Sequence, residues 1–232
     1  MSVKSRRLLI IAEPVVMLLT PILLVFTTIY DIEQTALLSS LIIIFAMVPF
    51  FARFELSKPK PRDIVPLVVL SVIAALGRVA FAPIPHFKPV SAIVIVSGLS
   101  FGPQAGFMTG ALSALASNMF FGQGPWTPWQ MFTWGLVGYL AGLLKKTFLF
   151  KKPIFIYIYG FLSGFMFGWI MNIWYIIGFI KPITSTTVVG AYIASFYFDV
   201  THAVATVVFL IPILIPWQKK LNRIKLKFGL ME

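Results

Sequence analysis

Residues 154–180 read IFIYIYGFLSGFMFGWIMNIWYIIGFI, a run without one Asp, Glu, Lys, Arg or His. As an α-helix it would be about 40 Å long at a rise of ~1.5 Å per residue. That exceeds the ~30 Å hydrocarbon core of a bilayer. Inside lipid every backbone N–H and C=O must bond within the chain, so such a run can only be helical or part of a closed barrel. It lacks the two-residue alternation of a barrel strand. The stretch is therefore a spanning helix, and the neighbouring sequence follows suit. Comparable apolar runs occupy 8–29, 35–52, 64–82, 129–148 and 186–216. Residues 89–121 are also apolar but are broken at Gly102-Pro103, where proline removes a helix donor. We read them as two spans, 89–101 and 104–121, the first of them short. The expectation is an all-α polytopic transmembrane bundle of about eight helices.

Composition agrees. Hydrophobic residues make up 59% of the 232 and charged residues only 11%, against roughly a quarter charged in a soluble domain. No polar stretch is longer than a short loop, so one membrane domain is expected. With no cysteine, disulfides, thiolate metal sites and cysteine nucleophiles are excluded. The first apolar run, Leu8 to Tyr30, is too long for the apolar region of a signal peptide.

A net charge of +12 would suggest nucleic acid in a soluble protein. Its distribution argues otherwise. Sixteen of the nineteen basic residues fall in four segments: Lys4, Arg6 and Arg7; Arg53, Lys58, Lys60 and Arg62; Lys145, Lys146, Lys151 and Lys152; and Lys219, Lys220, Arg223, Lys225 and Lys227. With eight spans all four lie on one side. The other side holds Lys88 and Lys181, and its first loop carries Asp31 and Glu33. Cytoplasmic loops are enriched in Lys and Arg, so both termini are expected in the cytoplasm. A seven-span arrangement would move a basic cluster outside. The basic side also suits anionic lipid.

Small residues recur at four-residue spacing: Gly106, Gly110 and Ala114; Gly138 and Gly142; Gly160, Gly164 and Gly168. Such stripes let helices approach closely in lipid, within one bundle or against a separate partner. Few polar groups lie inside the spans: Glu13, Arg78, Asn118, Asn172, Asp199 and His202. Intramembrane ionisable residues are costly and mark function or mutual pairing. Asp199 and His202, three apart, share a helix face. They could form a structural polar clasp with Arg78 as counter-charge, or a proton-relay or catalytic pair with Asn172. Glu13 is expected near the cytoplasmic interface beside Arg6 and Arg7.

No H-E-x-x-H pair, G-x-S-x-G elbow or G-x-x-x-x-G-K-[ST] phosphate loop occurs. No catalytic residue, metal site or intrinsic cofactor is expected, and uphill work would need a partner's ATPase or an ion gradient. The predicted outer side is richer. The loop APIPHFKP (82–89) faces FGQGPWTPWQ (121–130). Glycine and proline shape the second loop. Its tryptophans offer flat surfaces, and Gln123, Thr127 and Gln130 offer orienting hydrogen bonds. A few polar groups among aromatic walls is the composition of a small-molecule site, although tryptophan also anchors helices at a membrane interface.

From Gly77 to Gly142 the sequence resembles a known family. GRVAF (77–81), FKPVSAI (87–93), GLSFGP (98–103), GFMTGALS (106–113) and FGQGPWTPWQM (121–131) are similar to the substrate-binding S components of energy-coupling factor (ECF) vitamin transporters. DVTHA (199–203) resembles the D-x-x-H-A run in the last helix of many of them. The FGQGPWTPWQ loop looks most like the cobalamin branch. The resemblance implies a six-helix S-component core over 64–217. To it are added an N-terminal hairpin and cytoplasmic loop over 1–63 and a basic cytoplasmic tail over 218–232. It implies a multi-pass protein of a prokaryotic plasma membrane that captures a vitamin outside. The partners implied are a transmembrane coupling subunit and two ATPase subunits, which hydrolyse the ATP. The S component then topples to release the vitamin inside.

Two features depart from the family: eight spans instead of six, and Val79 where an A-x-x-x-A pair would continue from Ser71 and Ala75. Docking is expected on Ser71 and Ala75 or on Gly106 and Gly110. Lys88, Gln123, Trp126 and Trp129 are expected to line the substrate site, with Phe87, Asn118, Phe121 and Thr127 beside it. The substrate is expected to be cobalamin or a related corrinoid. The alternatives are an S component for riboflavin, a pyridoxine-type vitamin or a queuosine precursor, an intramembrane enzyme using Asp199 and His202, or a ligand-free accessory subunit.

Overall fold

A computed structural model describes residues 11–16, 19–20, 22–23 and 35–231. The described part of the first expected span, 8–29, is helical. Lys4, Arg6, Arg7, Asp31 and Glu33 lie outside the described residues. Seven further helices follow: α1 Thr35–Leu56, α2 Pro61–Ala80, α3 Val90–Phe101, α4 Pro103–Phe121, α5 Trp126–Leu144, α6 Pro153–Phe179 and α7 Ser185–Phe228. A 3-10 turn, Leu149–Lys151, precedes α6. No strand occurs among the described residues. The protein is an all-helical polytopic bundle.

Proline and glycine set the boundaries. Pro61, Pro103 and Pro153 stand at the first turns of α2, α4 and α6, where the missing N–H would have no partner anyway. Gly102, at φ 100°, separates α3 from α4, a backbone angle open mainly to glycine. The break expected at Gly102-Pro103 is therefore present.

Among the described residues, four helices are long and apolar enough to cross a membrane by themselves: the Leu38–Leu56 part of α1, and α2, α6 and α7. The others differ for a packing reason. All 12 residues of α3 are buried, and at about 18 Å it falls short of the hydrocarbon thickness. It runs from the 81–89 loop toward the other end of the bundle, wrapped by its neighbours instead of lipid. Helices α4 and α5 also bury most of their length, so their composition answers to protein contacts more than to lipid. Apolar side chains cover the bundle exterior, among them Phe45, Val65, Met119, Ile193 and Tyr197, as a lipid solvent requires.

The small-residue stripes bring these helices together. A Cβ on Gly98 or Gly106 would strike the Gly138 carbonyl, and one on Gly110 the Trp134 carbonyl. On the other side, a Cβ on Gly164 would strike the Ala203 backbone and one on Gly168 the Asp199 carboxylate. The stripes are therefore internal: α3 and α4 against α5, and α6 against α7. Ser71 and Ala75 are also buried, and the Ser71 hydroxyl lies 3.1 Å from the Thr109 carbonyl of α4. The four residues expected to dock a partner thus lie between the chain's own helices. Side chains this small are used here to bring backbones together, which buries them.

Two boundaries shift. Helix α5 begins at Trp126, earlier than the expected 129. Helix α7 runs on through the basic stretch to Phe228, twelve residues past the expected 216. Beyond 216, Trp217, Leu221 and Ile224 pack against the core containing Phe54, Leu67 and Phe101, while Lys219, Lys220 and Arg223 stay exposed. This spacing is one helical stripe. The helix then ends in a left-handed Gly229. Leu230 is buried, and the Met231 N–H donates to Asp63 Oδ1 at 2.8 Å. The other oxygen of Asp63 accepts from the Lys60 N–H at 2.8 Å. The end of α7 is thereby fastened to the start of α2.

The first expected span is fastened too. Glu13 is fully buried within the protein, at the end of the bundle that carries Arg53. It forms an ion pair with Arg53 and accepts from the Tyr139 hydroxyl at 2.6 Å. The Gln104 amide lies beside them, its oxygen placed to accept from Arg53 Nη1 at 3.1 Å. Phe50 of α1 stacks on Phe107 of α4, with ring centroids 4.2 Å apart. Burying a carboxylate demands such partners, and they come from α1, α4 and α5.

Candidate functional site

The loops 81–89 and 122–125 close one end of the bundle. Phe121 ends α4, Gly122 takes φ 92°, and Pro125 leads into α5. The turn closes around Thr127. Its hydroxyl donates to Gln123 Oε1 at 3.0 Å and accepts from the Gly124 N–H at 3.2 Å. Gln123 Nε2 donates to the Leu115 carbonyl at 3.0 Å. Gly124 is required by contact, since a Cβ there would strike the Trp126 ring. From α1, the Ser40 hydroxyl donates to the Pro125 carbonyl at 2.9 Å.

Asn118, fully buried, is the hub beneath this turn. Its Nδ2 donates to Thr127 Oγ1 at 3.0 Å and to Gln130 Oε1 at 2.8 Å. Its Oδ1 accepts from Arg78 at 2.7 Å. Arg78 also donates to Ser117 Oγ at 2.6 Å. The guanidinium lies 4.6 Å from the centroid of the Phe121 ring and 5.1 Å from that of Trp134, a cation–π arrangement that favours a desolvated cation.

The other loop is held by its lysine. Lys88 Nζ donates to the Phe81 carbonyl and, at 2.7 Å, to that of Ile84. Phe87 packs on Phe81 and Phe209. Burial, and then the nearby Arg78 charge, hold the Lys88 amine below the ordinary lysine range. His86 leans on Phe198 at 4.6 Å. Burial first and the Lys88 charge second hold its imidazole below its usual pKa. This end of the bundle therefore carries two cations, Arg78 and Lys88, with protein oxygens as partners. The one ion pair among the described residues, Arg53–Glu13, lies elsewhere.

The aromatic wall stands along α5 and α6. Trp126 meets Trp174 edge-on at 6.2 Å. Trp129 is 1% exposed. The indole N–H groups of Trp129 and Trp174 are both buried without a hydrogen-bond acceptor among the described residues. An unsatisfied buried donor costs about 1–3 kcal/mol.

The expected substrate residues thus fall into two groups. Asn118, Phe121, Gln123 and Thr127 join Arg78 in one network. Trp126 and Trp129 join the aromatic wall. Lys88 and Phe87 hold the adjoining loop. Sequence reading missed Trp174, which comes from α6; its only signal was a tryptophan near the same predicted side as Trp126.

Arg78, Asp199 and His202 do not clasp one another. Asp199 Oδ2 accepts from Ser195 at 3.2 Å, and Ser195 Oγ accepts from Asn172 at 2.6 Å. His202 Nε2 lies 2.8 Å from Ser91 Oγ, which also accepts from Trp134 Nε1 at 3.2 Å. Two separate bridges between helices replace the single clasp, because Asp199 faces α6 while His202 faces α3 and Phe167. Ser91 is 0% and His202 5% exposed, so a hydrolytic use of this pair would lack water access.

The bundle thus gathers a polar network and an aromatic cluster at one end. Residues 62–219 match the family described as ECF-type riboflavin transporter, S component. The chain belongs to that family, whose members are transport subunits. Among curated proteins it is 28% identical over 119 residues to a UPF0397 protein of Aliivibrio fischeri strain MJ11, covering 44% of this chain and 64% of that one. It is 32% identical over 85 residues to a UPF0397 protein of Vibrio atlanticus strain LGP32, covering 33% and 46% respectively. The chain thus spans less than two thirds of the length of these relatives. No solved structure matches.

Proposed function

We propose that this chain is the substrate-capturing subunit of an ATP-driven ECF-type vitamin importer. Three tryptophans, 126, 129 and 174, gather on α5 and α6 near the Arg78–Asn118 network, and two of their indole N–H groups lack an acceptor among the described residues. That pairing carries the reading, because it suits a flat ligand that also presents oxygens. Stacking would supply affinity and the orphan donors orientation. Lys88, Gln123, Trp126 and Trp129 would line the site, with Phe87, Asn118, Phe121 and Thr127 framing it.

For the substrate we propose cobalamin or a related corrinoid, on the resemblance of the FGQGPWTPWQ loop. Riboflavin is the second reading, favoured by the family that residues 62–219 match. ATP would be hydrolysed by two partner ATPases, coupled through a transmembrane subunit. That subunit would meet a surface other than the buried Ser71, Ala75, Gly106 and Gly110. The distribution of Lys and Arg favours cytoplasmic termini, and with that orientation the tryptophan end would face outward.

The test is titration of the purified chain with cyanocobalamin and with riboflavin, followed by tryptophan fluorescence. We expect saturable quenching by cyanocobalamin and its loss in Trp126→Ala/Trp129→Ala. Quenching by riboflavin alone would reassign the substrate. Unchanged binding in the double variant would overturn the site.

A further inference from the structure

The opposite end of the bundle holds a second concavity. A cleft of about 240 Å³ opens between the end of α5, the 3-10 turn with the start of α6, and the later part of α7. Its walls divide by chemistry. Leu99, Ile156 and Leu214 make an apolar floor, while Lys145, Lys151, Gln218 and Asn222 stand at its mouth. No carboxylate lines it. None of these four side chains hydrogen-bonds or ion-pairs with another described residue. The chain has therefore placed two ammonium groups and two amides around one opening and left their donors unused.

The electrostatics are uncompensated as well. Burial of its stem, and then the nearby Lys225 charge, hold the Lys145 amine below the ordinary lysine range. Like charges at an unshielded site oppose each other, and a bound anion offsets that repulsion. The surroundings say what sort of anion. Ile215 and Phe148 next to the cleft are exposed apolar residues. The basic face of α7, with Lys219, Lys220 and Arg223, lies a turn away. Apolar surface below, cations above and a cleft between helices is the arrangement that holds an anionic lipid headgroup.

We propose that this cleft seats the phosphate of an anionic phospholipid between Lys145 and Lys151, with Gln218 and Asn222 donating to its oxygens and an acyl chain running along Ile156 and Ile215. The site is distinct from the tryptophan end and would fix the axial position of α5 and α7 in the bilayer.

The experiment uses the full chain in neutral detergent, with lipid retention read by native mass spectrometry and stability by thermal unfolding. Phosphatidylglycerol and phosphatidylcholine are compared, with inorganic phosphate as a headgroup lacking chains. Phosphatidylglycerol should bind and raise the melting temperature, and phosphatidylcholine and phosphate should not. Lys145→Gln/Lys151→Gln should weaken phosphatidylglycerol binding roughly tenfold or more. Lys219→Gln/Lys220→Gln, an equal charge loss outside the cleft, should leave most of it. Equal loss in both pairs would reduce the effect to general surface charge and overturn the site. Equal binding of phosphatidylcholine would overturn the anion requirement. Full competition by inorganic phosphate would overturn the lipid as occupant. No effect of phosphatidylglycerol on the wild type would also sink the proposal, leaving the cleft to an acidic segment of a partner chain. If the glutamine pair misfolds, Lys145→Arg/Lys151→Arg serves instead and should retain selective binding.

Discussion

Asn118 shows what a single side chain carries in this bundle. Both amide hydrogens and the carbonyl are engaged, with Thr127, Gln130 and Arg78. Replacing it with alanine strands three partners where water is scarce. Asn118→Ala should cost about 1–3 kcal/mol, read as a lowered melting temperature, and should weaken ligand binding because the 122–125 turn rests on it. His86 gives a pH dependence. Its native pKa is depressed by burial and by Lys88, so between the native and unfolded values the unfolded chain binds more protons. Stability should be complete above the ordinary histidine range and fall as pH drops through about 6.5. Melting temperatures at pH 7.5 and 5.5 should differ less in His86→Gln than in the wild type. Residue types at this end were readable from the sequence, since glycine, proline and tryptophan announce a shaped aromatic turn. Partners were not. Nothing in a linear chain pairs Arg78 with Ser117 and Asn118, or His202 with Ser91, because those bonds depend on helix rotation.

Among the elements, α5 is the one against which the others register. A Cβ on Gly138 would strike both the Gly106 carbonyl of α4 and the Val94 side chain of α3. Gly138→Val should separate α5 from α3 and α4 and abolish a monodisperse folded peak on size exclusion. Gly190 of α7 meets nothing within 4 Å. Gly190→Ala should leave that peak intact and raise stability by up to about 1 kcal/mol, the helix preference of alanine over glycine. Four-residue spacing made the stripes legible as packing surfaces, but spacing is silent on whether the facing helix belongs to the same chain. It also hid the nature of α3. An apolar segment reads alike whether lipid or protein surrounds it, and only burial of all its faces shows that α3 is wrapped by protein.

Over the whole molecule, a buried carboxylate ties the first helical segment to α1 and α5, and Val16 packs on the same side. Glu13 meets Arg53 and Tyr139. Glu13→Leu should loosen that attachment and speed proteolysis in the 57–60 connection by several-fold, with the 62–219 unit surviving as a resistant fragment. A pairing of 13 with 53 was latent in the sequence, since both stand twenty residues from position 33, as hairpin partners would. The contribution of Tyr139 was not latent at all. The fastening of α7 to α2 was equally invisible, because basic residues mask the apolar stripe of Trp217, Leu221 and Ile224. That fastening sets a clock. Asp63 receives its second hydrogen bond from Met231, 168 positions later. At ordinary translation rates of about 5–20 residues per second, the carboxylate waits roughly ten to thirty seconds for that donor to be synthesised. Until then only water can serve its free oxygen, so the bundle stays wet at this corner while the ribosome is still at work.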